Sequence, residues 1–240
     1  MTLVDVRTAQ ERMHTQIDWL DSWHSFSFGA HYDPDNTHHG LLLVLNDDTV
    51  APGGGFGTHP HRDMEIVTWV LEGTLEHRDS TGTHDTISPG LAQRMSAGSG
   101  IRHSEMNASR TEPVHFVQMW VPPDTAGIEP GYEQRDVAGE LANGGLVPVA
   151  SGRVDAAIRI HQRDATLWVA QVAPGGSVVV PDAPFVHVFV ARGAGALEGA
   201  GGLAAGDAVR LAAAGERRFI ASPDGAELIV WETWSDLSVT

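Results

Sequence analysis

The chain contains no cysteine in its 240 residues. That excludes disulfides, thiolate metal ligands and a cysteine nucleophile, so any metal site must be built from nitrogen and oxygen donors. Positive charge is scarce, with 15 basic residues against 31 acidic ones and a formal net charge of -16. Such a surface repels phosphate backbones, and direct binding to nucleic acid is not expected. No apolar run reaches the roughly 18 residues of a membrane-spanning helix, so no membrane association is expected. The opening MTLVDVRTAQERMH carries Asp5 and Glu11 where a secretory signal would need a basic end and an apolar segment, and a cytoplasmic location follows as an expectation. Stretches of helical periodicity are also few. What is present is 42% hydrophobic residues with 27 Gly and 13 Pro, the composition of many short strands joined by tight turns. The expected fold class is all-β.

Residues 22–34, SWHSFSFGAHYDP, and the apolar run LLLVLN at 41–46 read as strands. EIVTWVLEGTLEHRD reads as a hairpin pivoting at Glu72-Gly73, SPG at 88–90 as a turn, and VHFVQMWV as a further strand. Together these predict a compact antiparallel barrel. Between about residues 124 and 153 the composition shifts to Gly, Pro, Ala and Asp, as in a connection running over the surface. A second set of strands follows: TLWVAQVAP, SVVVP, FVHVFVARG, DAVRLA, RRFIASP and AELIVWET. WVLEG at 69–73 matches FVARG at 189–193 at an offset of 120, and SAGSGIRH at 96–103 matches AAAGERRF at 212–219 at an offset of 116. This weak repeat favours two related barrels, residues 1–135 and 136–240, over one irregular sandwich.

In GGGFGTHPHRDME, His59 and His61 stand two apart, so in an extended strand both imidazoles leave the same face. His103 and Glu105 in GSGIRHSEMN repeat that spacing. Three imidazoles and a carboxylate suit Fe, Mn, Ni, Cu or Zn, and an octahedral ion would keep positions open for substrate or oxygen. With 13 His in the chain, a single HxH pair on a solvated strand is ordinary. Two such pairs, each entered through a glycine-rich turn, are a harder coincidence.

At these residues the chain resembles the cupins. Gly53, His59, His61 and Glu65 fit the first cupin motif, with seven residues rather than six between Glu65 and Gly73; Gly98, Gly100, His103 and Asn107 fit the second, with Gly98 in place of proline. More specifically, HPHRDMEIVTWVLEGTLEHRDSTG, MSAGSGIRHSEMN, SWHSFSFGAHYDP and GYEQRD resemble the pirin family, above all its bacterial members described as quercetin dioxygenases. The resemblance implies a bicupin of two jelly-roll barrels, with one divalent metal, Fe(II) foremost, held by His59, His61, His103 and Glu105. It implies turnover of a small aromatic, flavonol-like substrate with dioxygen, with Glu105 as the base that takes the substrate hydroxyl's proton. A second role attributed to pirins, that of an iron-binding regulator acting through protein partners, stays open, as does a metal-binding cupin without turnover. Glu65 is the ambiguous carboxylate. In many cupins its counterpart is a ligand, and strand parity lets it face the ion; in pirins Glu105 takes that role, which leaves Glu65 to a polar network.

Eight other histidines, His24, His31, His38, His39, His77, His84, His115 and His161, read as surface or hydrogen-bonded residues, because none has a partner at matching spacing. Arg62 and Asp63 orient the ligands or form a solvated turn, and Trp69, Met95, Met106, Phe116 and Met119 read as core. The second barrel is expected to be a degenerate copy without metal: the two offsets carry His59 and His61 to Val179 and Pro181, and His103 and Glu105 to Phe219 and Ala221. The alternative is a slip of one residue that lets His187 rebuild a site.

Overall fold

The computed structural model describes residues 2–237, and its regular secondary structure is almost wholly strand. Among the described residues helix amounts to short turns such as Ala9–Glu11 and Ala138–Leu141, and no helix is long and apolar enough to cross a membrane. A seven-stranded antiparallel sheet runs in the order Gly131–Asp136, Leu91–Ser96, Glu65–Glu72, Val114–Val121, Val44–Val50, Leu20–His24 and Met13–Ile17. Facing it is a four-stranded sheet of Gly55–His61, Ile101–Asn107, Leu75–Asp79 and His84–Ile87. The second half forms a nine-stranded sheet built around two long strands, Phe185–Leu197 and Arg217–Thr233. Bulges at Val190/Arg192 and Gly193/Gly195 interrupt the pairing of these two strands, which is how long strands bend from one layer toward another.

Chain order and sheet membership part in one place: Leu3–Arg7 pairs with Ala208–Ala212 and so lies in the nine-stranded sheet. Two expectations from the sequence are overturned. Glu72-Gly73 does not close a hairpin, because Glu65–Glu72 pairs with Val114–Val121 and Leu91–Ser96, whereas Leu75–Asp79 pairs with strands of the facing sheet. Gly73, at φ 80°, is a corner between the sheets, and a Cβ there would stand 2.5 Å from the Pro113 carbonyl oxygen. The stretch 124–153 is not a bare connection either. It supplies the edge strand Gly131–Asp136 and the strand Val147–Ser151, in which Val149 and Ala150 are fully buried. Pro148 interrupts the apolar residues Val147, Val149 and Ala150, which leaves too few in succession to announce a strand by periodicity. The first strands also differ from the reading: one is shorter and ends at His24, and the other is displaced to Val44–Val50.

The largest apolar cluster joins the halves rather than filling either one. Val67, Trp69, Leu71, Val117 and Met119 of the seven-stranded sheet pack there with Leu167, Val169, Phe189, Ile229 and Trp231. Val114–Val121 is therefore covered on both faces, which explains why VHFVQMWV is nearly continuous in apolar residues instead of alternating. A second large cluster fills the C-terminal unit. Inside the N-terminal unit the apolar residues form only two small clusters, around Val50, Val70 and Phe116 and around Ile66, Met95 and Ile101.

Candidate metal centre

Between those two small clusters the interior of the N-terminal unit is polar. His24, Asn46, Gln118, Thr68, Gln93 and Gln134 stand opposite one another in register across six strands, one unbroken polar row. The facing sheet presents the candidate ligands. His103 is paired in register with His59, and Ile101 with His61, before a shift between His103 and Glu105 sets Glu105 opposite Phe56.

The rings of His59, His61 and His103 lie 4.5–4.9 Å apart, centroid to centroid. One ligand nitrogen from each can be chosen so that all three fall within 4.8 Å of one another. His59 donates from Nδ1 to the Gly57 carbonyl at 2.8 Å, which leaves Nε2 with its lone pair. Nε2 of His61 and both ring nitrogens of His103 are buried without a hydrogen-bond partner. Burial, reinforced by the neighbouring imidazoles, depresses His61 to about 4 and His103 to about 3. The His61 and His103 rings are therefore neutral near pH 7, and buried ring nitrogens that converge without partners in this way fit a divalent cation.

Glu105 is buried beside this cluster, both carboxylate oxygens accepting from Nε2 of Gln118 at 2.9 and 2.8 Å. With His77 and His103 it forms a second group whose ligand atoms lie within 4.8 Å of one another. The four sequence-derived residues are thus brought together as two overlapping triads that share His103. His77 is the residue that the sequence reading passed over. It donates from Nε2 to Asp79 at 3.0 Å, both side chains being wholly buried, and lies against the ring of Tyr132 at 4.8 Å. The alternation of Leu75, His77 and Asp79 against Glu76 and Arg78 was the signal that could have turned it inward.

Glu65 faces the other way. It shares a side of its strand with Val67, Trp69 and Leu71, and its carboxylate accepts from the Ser96 hydroxyl at 2.9 Å and the His161 amide at 3.0 Å. It belongs to a polar network at the junction of the halves, and the parity that allowed it to face the ion does not hold. Asp63, at φ 48°, accepts from the Gly127 amide and shapes a turn. Trp69 and Met119 belong to the junction core.

His59, His61 and Glu105 line a cavity of about 590 Å³ whose apolar walls are Trp19, Leu20, Phe28, Phe56 and Trp120, with the Trp120 ring edge-on to His61 at 4.9 Å. That volume suits a drug-sized molecule. Polar residues of the seven-stranded sheet, Ser22, His24, Asn46 and Asp48 among them, complete its lining. Burial pushes the Asp48 carboxyl up to about 7.

The second half repeats the frame without the ligands, and the register corrects the offset. The pairs His59/His103 and His61/Ile101 correspond to Val178/Phe219 and Val180/Arg217, an offset of 119 (59 to 178, 61 to 180) for the first strand. Val179, which the sequence offset matched to His59, is 39% exposed; Val178, Val180, Phe219 and Ala221 are the buried residues. His77 is matched by Gly195, since His77 pairs with Glu105 and Gly195 with Ala221. The Phe219 ring occupies the space that a side chain at Gly195 would need, its Cζ standing 2.3 Å from the position of a Cβ. His187 is fully buried near Phe26 and His39, and among the described residues it joins no group of three metal-ligating side chains.

The family model described as pirin matches residues 5–121. A Mycobacterium tuberculosis H37Rv protein, provisionally named a quercetin 2,3-dioxygenase, is 57% identical over 236 residues, 98% of this chain and 96% of its own length. The quercetin 2,3-dioxygenase of Escherichia coli K12 is 48% identical over 160 residues, 67% of this chain and 68% of its own. Among solved structures, the bacterial pirin YhhW of E. coli in complex with nickel(II) superposes with a TM-score of 0.88 at 38% identity, covering 97% of this chain and all of that one.

Proposed function

Because the chain belongs to the pirin family, we propose that it is a metal-dependent dioxygenase that opens the heterocycle of a flavonol such as quercetin with dioxygen, using Fe(II) held by His59, His61, His103 and Glu105. The observation that carries this reading is the meeting of three imidazoles, two of them with buried and unpartnered ring nitrogens, and a buried carboxylate beside an aromatic-lined cavity. The names of the relatives support the same chemistry.

When bound, a divalent ion supplies Lewis acidity toward a substrate hydroxyl and a path for electrons between an organic ring and dioxygen. The protein supplies the rest. Glu105 takes the proton of the hydroxyl that meets the ligands, and Gln118 holds the carboxylate for it through both oxygens. Gln118 is itself oriented by the Trp120 indole N–H, which donates to its Oε1 at 3.1 Å. Trp120, Phe28, Phe56 and Trp19 enclose the flat ring system and keep bulk water from the carbons that react.

Aerobic incubation of the iron-loaded protein with quercetin tests the reading. Loss of the flavonol's visible absorbance with release of carbon monoxide is expected, abolished by His61→Ala. Stoichiometric iron without turnover would overturn it and favour the iron-binding regulator. Metal analysis of protein purified without added metal tests the choice of iron.

A further inference from the structure

The wall of the cavity opposite the ligands contains a carboxylate that the fold does not account for. Asp48 is 3% exposed, and its neighbour in sequence, Asp47, takes the available cations, Arg12 at 2.9 Å and His115 at 2.6 Å. Among the described residues Asp48 forms no ion pair, and its one hydrogen-bond partner is the Ser22 hydroxyl, which donates to Oδ1. A carboxylate buried in this way destabilises the fold unless something else satisfies it. The other polar groups nearby are already engaged with one another: Thr15 with His24 at 3.1 Å and with His31 at 2.9 Å, and His24 with Asn46 at 2.8 Å. Asp48 is the group on this wall with acceptor capacity to spare.

We propose that Asp48, oriented by Ser22, is the point at which the cavity reads a hydroxyl of its substrate other than the one that meets the metal ligands. The pair projects from Val44–Val50 and Leu20–His24 on the seven-stranded sheet, whereas the ligands project from Gly55–His61 and Ile101–Asn107 on the facing sheet. A flat molecule between aromatic walls is thus addressed from two sides, by ligands and by an acceptor. The substrate class that fits carries an acidic hydroxyl for the ligands and a phenolic hydroxyl to donate to Asp48. A bare 3-hydroxyflavone lacks the second group, whereas quercetin carries several candidates for it. A hydrogen-bonding site of this kind discriminates strongly against an analogue lacking the donor, because the buried acceptor is then left unpaired.

This inference rests on the flavonol reading above, and its test is separate from turnover. Protein loaded with redox-inert zinc is titrated with quercetin and with 3-hydroxyflavone, following the flavonol absorbance. The wild type is expected to bind quercetin more tightly by about tenfold or more, and Asp48→Leu to lose about tenfold for quercetin while keeping 3-hydroxyflavone within about twofold. Asp48→Asn, which retains an acceptor for Ser22, guards against a folding defect and is expected to fall between the two. In the iron-loaded enzyme Asp48→Leu is expected to raise KM for quercetin more than it lowers kcat. Equal losses for both flavonols, no loss for either, or no binding of either to the zinc-loaded wild type would each overturn the proposal. Discrimination in binding without turnover by the iron form would leave it standing and sink the dioxygenase reading alone.

Discussion

His103 is the residue on which the centre turns: it is paired in register with His59, belongs to both triads, and has two ring nitrogens without a protein partner. His103→Ala is expected to abolish metal binding, measured by elemental analysis, while cooperative thermal unfolding persists, because the apolar clusters at either end of the unit are untouched. Asp48 yields a prediction in pH. Its folded carboxyl is raised from 3.8 to about 7, so the folded state holds a proton that the unfolded chain has already released. The stability it contributes is fully present below about pH 4 and is lost as pH rises through about 7. Asp48→Asn abolishes that loss. Urea unfolding is expected to show variant and wild type similar near pH 4 and the variant more stable at pH 8, by an amount on the order of 3 kcal/mol. A difference between the two proteins that does not grow with pH would count against a buried, unpaired Asp48.

At the scale of elements, the two halves use one frame and differ in what fills it. Gly73 and Gly193 both adopt positive φ, at 80° and 70°, and both face backbone where a Cβ would sit, Pro113 in one half and Gly225 in the other. Beyond those corners the halves diverge. The N-terminal strand continues to His77 beside the ligands, and its counterpart to Gly195 beneath the Phe219 ring. Hydrocarbon occupies the positions that hold imidazoles in the first half. Gly195→Ala would set a Cβ 2.3 Å from Phe219 Cζ and 2.4 Å from the Ile220 carbonyl oxygen. The expected cost is about 2–4 kcal/mol in chemical denaturation, with the metal content of the N-terminal site unchanged. A variant as stable as the wild type would mean that the Phe219 ring can move aside.

Taken whole, the molecule is held together at the junction of its halves. Trp69 donates from its indole nitrogen to Glu227 at 2.8 Å, and Trp231 donates to the Met119 sulfur at 3.1 Å, each bond linking residues more than a hundred positions apart. Arg94 donates to the Arg159 carbonyl and His161 to Glu65 across the same boundary. With the largest apolar cluster shared in this way, the halves are expected to unfold in one calorimetric transition. Trp69→Phe keeps the ring but leaves the buried Glu227 carboxylate without that donor, which should cost about 1–3 kcal/mol and shift the single transition down. Two resolved transitions would show that the halves are independent.

Much of the centre was legible in the chain itself. The absence of cysteine limited the donors to nitrogen and oxygen, the two i, i+2 pairs placed His59 with His61 and His103 with Glu105, and the density of turns indicated an all-β fold. Alternation along a strand determines which side chains share a face. It does not say which sheet the strand joins or what that face meets. For that reason the corner at Gly73 looked like a hairpin, and Glu65 looked able to face the ion when it turns to the junction. The same limit hid His77, whose importance lies in a neighbouring strand, and set the repeat one residue out of register, since only cross-strand pairing matches Val178 to His59. Those features depend on hydrogen bonds and packing between segments far apart in sequence, and the tertiary structure alone decided them.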